Sequence, residues 1–356
     1  MGINLAFWEN LTEFLRSDVA SYAEEIDQNG VALGEVLQGL GDRRLLGLRV
    51  PTEWGGSGLS LADYYAATVK ITAASGILAF LQTQHQSAAA QIAKFGSAKQ
   101  KELLPKMVTG EIKVGVGFSH LRRQGKPMLV AKPQGDVFLL TGIIPWITGH
   151  GFFRRAIAGA TLPNGDELYG LIPLQNTQQS NGGTIDCGTP LPLAAMGQSK
   201  TVTVKLNQWL LAPEDVLVIK PAGSIQRGDR HKVLHHGFFA LGCAHGILES
   251  LATANFSEIQ SLKSQLSKLH HEMFQAIADP PADFQTQLQL RIKAVALAQQ
   301  YAAIALTTAG GAGNLLTHPA QRHYREALMF SIFGQTPTIR NATLQTLLPE
   351  YRTEIY

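Results

Sequence analysis

The chain has 356 residues, of which 45% are hydrophobic and 16% charged, and a net charge of +3. That is enough apolar material for two or three cores and too little charge for the strong positive field of a nucleic-acid binder. The two cysteines, Cys187 and Cys243, form no CxxC pair, which argues against a disulfide framework or a structural zinc site and suits a reducing cytoplasm.

The start, Met1 to Ala6, has no basic n-region and no Ser or Thr at the sixth position, so neither a secretion signal nor myristoylation is expected. Residues 1–113 read as helices. Apolar residues recur at three and four spacing through Phe7, Leu11, Phe14 and Leu15, then through Leu33, Val36, Leu37 and Leu40. Val50 to Gly58 must be irregular, because Pro51 and the Gly55-Gly56 pair break a helix. Helical patterning resumes with Ser60 as N-cap and runs through Tyr64 to Leu81.

From Val114 the pattern changes to short alternating runs, including Val114 to Phe118, Val137 to Thr141 and Thr201 to Val204. These predict β-strands over 114–223, with an exit at Pro213 to Leu217 and Pro221 to Gly223. From 224 to 356 the chain reads as helices, broken at Asp279-Pro280-Pro281, Gly310 to Gly313 and Gly334 to Pro337. Gly237 to Leu248 is the most apolar stretch, but its histidine and glycines leave it short of the roughly 20 apolar residues of a membrane span, so it is expected to be a buried helix. Ile259 to Ile277 and Phe284 to Leu306 predict an antiparallel helix pair. Grouped strands exclude a doubly wound parallel sheet, and no GxGxxG follows a strand. The fold class is α+β and multidomain.

Five segments carry a resemblance. They are Leu46 to Ser60, with Gly-Gly after Pro and an acidic-aromatic pair; Lys94 to Glu111; Met196 to Ser199 with Thr201; Ala212 to Leu217; and Arg322 to Thr336. As turns and caps the first four describe a scaffold rather than a chemistry, whereas Arg322 to Thr336 looks like the active-site end. In this order and spacing they resemble the acyl-CoA dehydrogenase superfamily over nearly the whole chain. The resemblance implies an N-terminal helical domain, a central antiparallel β-barrel or sandwich domain and a C-terminal four-helix bundle, with FAD held between the last two. It also implies an acyl-CoA or related substrate and a homodimer or higher homo-oligomer. Trp146, Ile147 and Thr148 then match the strand tripeptide beside the flavin ring, where a flat apolar wall and a polar tip are needed. Ser119 matches the residue that reaches the flavin carbonyls. Gly310 and Gly311 match the glycines that let a partner backbone approach the cofactor, and Thr336 and Thr338 fall at its adenosine side.

Three departures bear on function. After Ser119 the family's Glu-Pro and Gly-Ser-Asp loop is replaced by His120 to Pro127, a basic loop whose Arg122, Arg123 and Lys126 suit either a phosphate or solvent. The family's Arg-x-x-Phe-Gly is missing from Ala254 to Lys263, which removes an anchor for the FAD pyrophosphate. Finally, Gly334 occupies the position of the usual catalytic glutamate, and glycine abstracts no proton. The alternative glutamate position, on the bundle helix, falls at or next to His236, so His235, His236 and His245 are the titratable candidates, with His236 the catalytic one.

His231 and His235 are spaced i and i+4, yet no third ligand accompanies them and no metal site is expected. The expectation is an FAD-dependent oxidoreductase resembling acyl-CoA dehydrogenases, acting on CH-CH donors. A flavin-dependent monooxygenase or oxidase on the same scaffold is the second reading, and a non-catalytic homologue the third. No nucleic acid and no membrane span are expected.

Overall fold

The computed structural model describes residues 5–348 apart from 254, 255 and 279. The reading of Met1 to Asn4, the loop positions Ala254 and Asn255, and Asp279 lie outside the described residues. The chain divides into two compact units, residues 1–60 with 77–228 and residues 61–76 with 229–356.

The first unit opens with α1 (Leu5–Phe14), α2 (Ala23–Gln28) and α3 (Gly30–Asp42). Leu11, Phe14 and Leu15 are buried, as are Leu33, Leu37 and Leu40, because three and four spacing gathers them on one helix face. The Asn29 side chain caps α3 by accepting from Val31 N–H. The irregular segment holds a single tight turn at Thr52–Trp54, closed by Gly55 with φ +80°. Two helices, α4 (Leu61–Ala74), which belongs to the second unit, and α5 (Gly76–Phe95), replace the single predicted run. The break at Ser75 arises because the Gly76 N–H donates to Glu326 Oε1 at 2.8 Å instead of to the preceding turn. Two short helices follow, α6 (Ala98–Lys101), started by a reciprocal Ser97–Gln100 capping box, and α7 (Leu104–Val108).

Nine strands come next: β1 (Val114–Gly117), β2 (Leu129–Gln134), β3 (Val137–Ile147), β4 (Arg155–Thr161), β5 (Glu167–Pro173), β6 (Thr177–Gln178), β7 (Thr184–Cys187), β8 (Val202–Leu211) and β9 (Val216–Lys220). They form one sheet in the order β6-β7-β8-β3-β2-β4-β5-β9, with β1 beside β4. Only the β1–β4 ladder and the single Val130–Thr161 pair of β2 with β4 are parallel. The rest is antiparallel, as grouped strands require. Ile92, Met107, Val108, Ile157, Leu171 and Leu217 belong to the core between α5, α7 and the sheet. His85, fully buried on α5, accepts Val114 N–H at Nδ1 (3.1 Å) and places Nε2 3.0 Å from Met107 O, so its neutral Nε2–H form ties α7 to β1. The unit ends at Gly228, within the short α8 (Ser224–Arg230).

The second unit consists of α4 with α9 (Gly237–Thr253), α10 (Ile259–Ala276), α11 (Phe284–Ala309), α12 (Pro319–Ile332) and α13 (Pro337–Leu347). The apolar α9 is central to it, packed by α4, α10, α11 and α12. Asp283 caps α11 through the N–H groups of Gln285 and Thr286, and Gly310 ends it. The architecture is therefore a helical N-terminal region, a mostly antiparallel sheet and a helical C-terminal region.

Candidate active site

In the first unit the tripeptide ends β3. The β3–β8 register slips between Ile144 and Ile147, so Trp146 sits in an irregularity and is 45% exposed, while Ile147 and Thr148 are buried. Thr148 Oγ1 lies 2.9 Å from Thr201 Oγ1, which is 3.5 Å from Ser199 Oγ, itself donating to Met196 O at 2.7 Å. Either hydroxyl can donate in the Thr148–Thr201 pair, and when Thr201 donates the Thr148 O–H is left for another acceptor. Met196 and Lys200 flank this hydroxyl chain with φ of +60° and +49°. Left-handed backbone at a non-glycine residue costs on the order of 1–2 kcal/mol, so local strain is concentrated beside the tripeptide.

Ser119 is exposed and opens a single tight turn, Ser119–Arg122, rather than extending β1, which stops at Gly117. The turn forms because the next residue, His120, is drawn inward, with Nε2 2.9 Å from Gly159 O. Burial pushes the His120 pKa down to about 4. Arg123 and Lys126 in the following loop are exposed, and Arg122 is partly buried.

In the second unit the structure brings His236 and Gly334 together. His235 and His236 lie in the turn before α9 rather than on the helix, and Gly334 lies in the turn between α12 and α13. Gly334 has φ +65°, and a Cβ added there would lie 2.5 Å from His236 Nδ1. The imidazole thus fills the side-chain space of position 334. The Phe333 ring meets it edge-on at 4.5 Å. The other histidines are elsewhere: His235 packs on Tyr65 at 5.0 Å, and His245 Nε2 lies 3.1 Å from His270 Nδ1. Burial, then His270 and Lys70, lower the His245 pKa to about 4. Gly310 and Gly311 are exposed at the end of α11 with nothing near a Cβ at either. Thr336 caps α13 by accepting Ile339 N–H at 3.3 Å, and Thr338, at the start of that helix, is exposed.

Two features escaped the sequence reading. Arg291, 3% exposed on α11, donates to the carbonyls of Val233 (3.0 Å), Phe333 (2.7 Å) and Gly334 (3.1 Å). Its place among Leu288, Ile292 and Val295 at three and four spacing marked it as a cation on a buried face. On α12, Glu326 accepts from Arg322 Nη1 at 2.9 Å as well as from Gly76 N–H, and His323 Nδ1 lies 3.4 Å from Glu326 Oε2, near enough to attract but outside hydrogen-bond geometry. Burial raises the Glu326 pKa, yet Arg322 and His323 outweigh it and hold the carboxyl at about 2. The spacing of Arg322 and Glu326, i and i+4 on the buried face, was the signal for this pair.

Among the described residues no group of three or more His, Cys, Asp or Glu side chains could hold a metal ion. His231 and His235 share no helix face, because residues 231–236 are turns. No described helix is long and apolar enough to cross a membrane.

Comparison with known proteins gives a context for this geometry. Residues 4–111 match the family model described as acyl-CoA dehydrogenase, N-terminal domain. The chain is 24% identical to the 3-sulfinopropanoyl-CoA desulfinase of Variovorax paradoxus, over 92% of this chain and 89% of that protein. It is 23% identical to the human mitochondrial short-chain specific acyl-CoA dehydrogenase, over 96% and 89% respectively. Its fold superposes on butyryl-CoA dehydrogenase of Megasphaera elsdenii with a TM-score of 0.79 at 18% identity, covering 98% of this chain and 100% of that one. A prolyl acyl carrier protein oxidase gives 0.75 at 16% identity, covering 97% and 100%. Residues 4–111 carry the acyl-CoA dehydrogenase N-terminal domain, and nearly the whole chain has the fold seen in butyryl-CoA dehydrogenase.

Proposed function

We propose that the chain is an FAD-dependent oxidoreductase acting on an acyl-CoA or acyl-CoA-like substrate. The observation that carries this reading is Trp146, whose indole is 45% exposed at a strand end beside the buried Ile147 and Thr148. An indole in an apolar strand normally buries its face, so this one offers a flat wall for a planar ring. The residues suit the ring end of the cofactor: Trp146 as wall, the Thr148 hydroxyl as polar tip, and Ser119 exposed in the turn after β1. The resemblance alone assigns Gly310, Gly311, Thr336 and Thr338, in the second unit, to its phosphate and adenosine parts. The fit is poorer there, because the family's arginine is missing from the 256–263 segment. When bound, FAD supplies a two-electron acceptor, and the indole excludes water from one face of it.

The proton is assigned to His236. An imidazole is the one side chain whose ordinary pKa lies near neutrality, and this ring stands over Gly334 where the superfamily's carboxylate would arise. The same absence of a carboxylate favours a second reading, a flavin-dependent monooxygenase or oxidase, in which a base on the substrate α-carbon is dispensable. Fold likeness to an acyl carrier protein oxidase is compatible with it. Self-association is supported by Tyr324, Leu328 and Ile332, an exposed apolar stripe at i, i+4 and i+8 on α12. Two free thiols, Cys187 and Cys243, suit a cytoplasmic setting.

Titration of FAD into the purified protein tests the proposal, followed by anaerobic reduction with short acyl-CoA and by turnover in air. Reduction without oxygen supports the dehydrogenase reading, and oxygen-dependent turnover alone supports the second. A preparation that stays colourless in excess FAD ends both and leaves a non-catalytic homologue.

A further inference from the structure

His236 and Gly334 belong to chain segments about a hundred residues apart. Arg291 joins them. Its Nη1 binds the carbonyl of Val233, three residues before His236, and its Nη2 binds the carbonyls of Phe333 and Gly334. A planar guanidinium presents donors in a rigid fork, so one side chain can bridge two turns at set distances, whereas an ammonium is a point charge that cannot span them. These hydrogen bonds all go to carbonyls, and the side chain is 3% exposed. Burial lowers its pKa to about 10, with Asp229 pulling the other way, so it stays charged at neutral pH. Burying a charge on carbonyl partners is costly relative to an apolar residue of the same volume, which makes simple packing a poor account of it.

We propose that Arg291 is the positioning residue of this site: by clamping the Val233 and Phe333-Gly334 carbonyls it holds left-handed Gly334 under the His236 ring, fixing the imidazole as the group that handles the proton. The inference rests on the reading of His236 given above. Three geometric facts converge on it: the positive φ of Gly334, the 2.5 Å approach of a Cβ there to Nδ1, and the shared guanidinium. The same geometry explains why a carboxylate has no place at position 334, since its stem would have to displace the His236 ring that fills that space.

The test uses full-length protein with 15N-labelled histidine. His236 ring signals are assigned by their loss in H236Q, then followed in R291K and R291M. The expected result is folded R291K whose His236 ring nitrogens shift or broaden while those of His85 and His245 stay in place. With FAD and a turned-over substrate, kcat should fall about 10- to 100-fold with KM within about threefold. Unchanged His236 signals in R291K overturn the positioning role, whatever happens to activity. If instead the signals move but H236Q keeps full kcat, the clamp stands and the assignment of the proton to His236 fails. Should neither Arg291 variant fold, hydrogen exchange on the wild type decides. Amides of residues 234–237 and 333–336 are expected to open together with one free energy, and independent opening of the two turns sinks the proposal.

Discussion

The strand end at Trp146 and the turn at Gly334 differ in what occupies their side-chain space. At Trp146 a large indole stands out from an irregular strand end with almost half its surface uncovered. At Gly334 there is no side chain, and the space one would take is filled by the ring of a residue from elsewhere in the chain. By the resemblance, the first region keeps the tripeptide expected beside a flavin ring, while the second departs from the expected pattern and is closed to the residue it lacks. A cofactor wall depends on one short segment and can persist unaltered, whereas a proton-transfer group depends on several segments meeting and can be rebuilt when one of them changes.

The comparison can be broken or sharpened by substitution, beginning with the element that joins α12 to the Gly76 turn. E326A removes the acceptor of Gly76 N–H and leaves Arg322 buried without its carboxylate, so a loss of about 3–5 kcal/mol is expected in chemical denaturation of the second unit. The first unit should instead show its weakness in acid. Burial lowers the His85 pKa from 6.5 to about 4 against opposing backbone hydrogen bonds, so the folded state prefers the neutral ring. The sign follows: this stability is whole above pH 6.5 and is lost as pH falls toward 4, by roughly 3 kcal/mol at most. H85Q should flatten denaturation midpoints across that window, and a slope unchanged in H85Q would refute the assignment.

G334A is expected to cost about 2–3 kcal/mol, part from the left-handed backbone and part from the ring above it. In an H236A background the contact part should vanish and the backbone part remain. G334E should bring no dehydrogenase activity, because the new carboxylate cannot enter without displacing His236. On the strand, W146A should weaken FAD binding about 10- to 100-fold in a fluorescence titration, roughly 1.5–3 kcal/mol, with little change in folding stability because the indole is half exposed. T148V is the smallest, about 1 kcal/mol, from the hydroxyl pair with Thr201.

The sequence by itself determined the order helices, strands, helices, the turn closed by Gly55, the buried α9 and the α10–α11 pair. Each rests on periodicity or turn chemistry within a few consecutive residues, which is information a linear chain carries. It also marked Trp146 to Thr148 and the want of a glutamate at Gly334. Tertiary structure alone decided the break at Ser75, made by a carboxylate 250 residues from Gly76, the inward turn of His120 that takes Ser119 off its strand, and the placing of His236, of the three histidines, against Gly334. The reason is common to all of these. A buried polar group must find its partner wherever the fold places one, so its role is settled by distance in space, and no spacing along the chain records that distance.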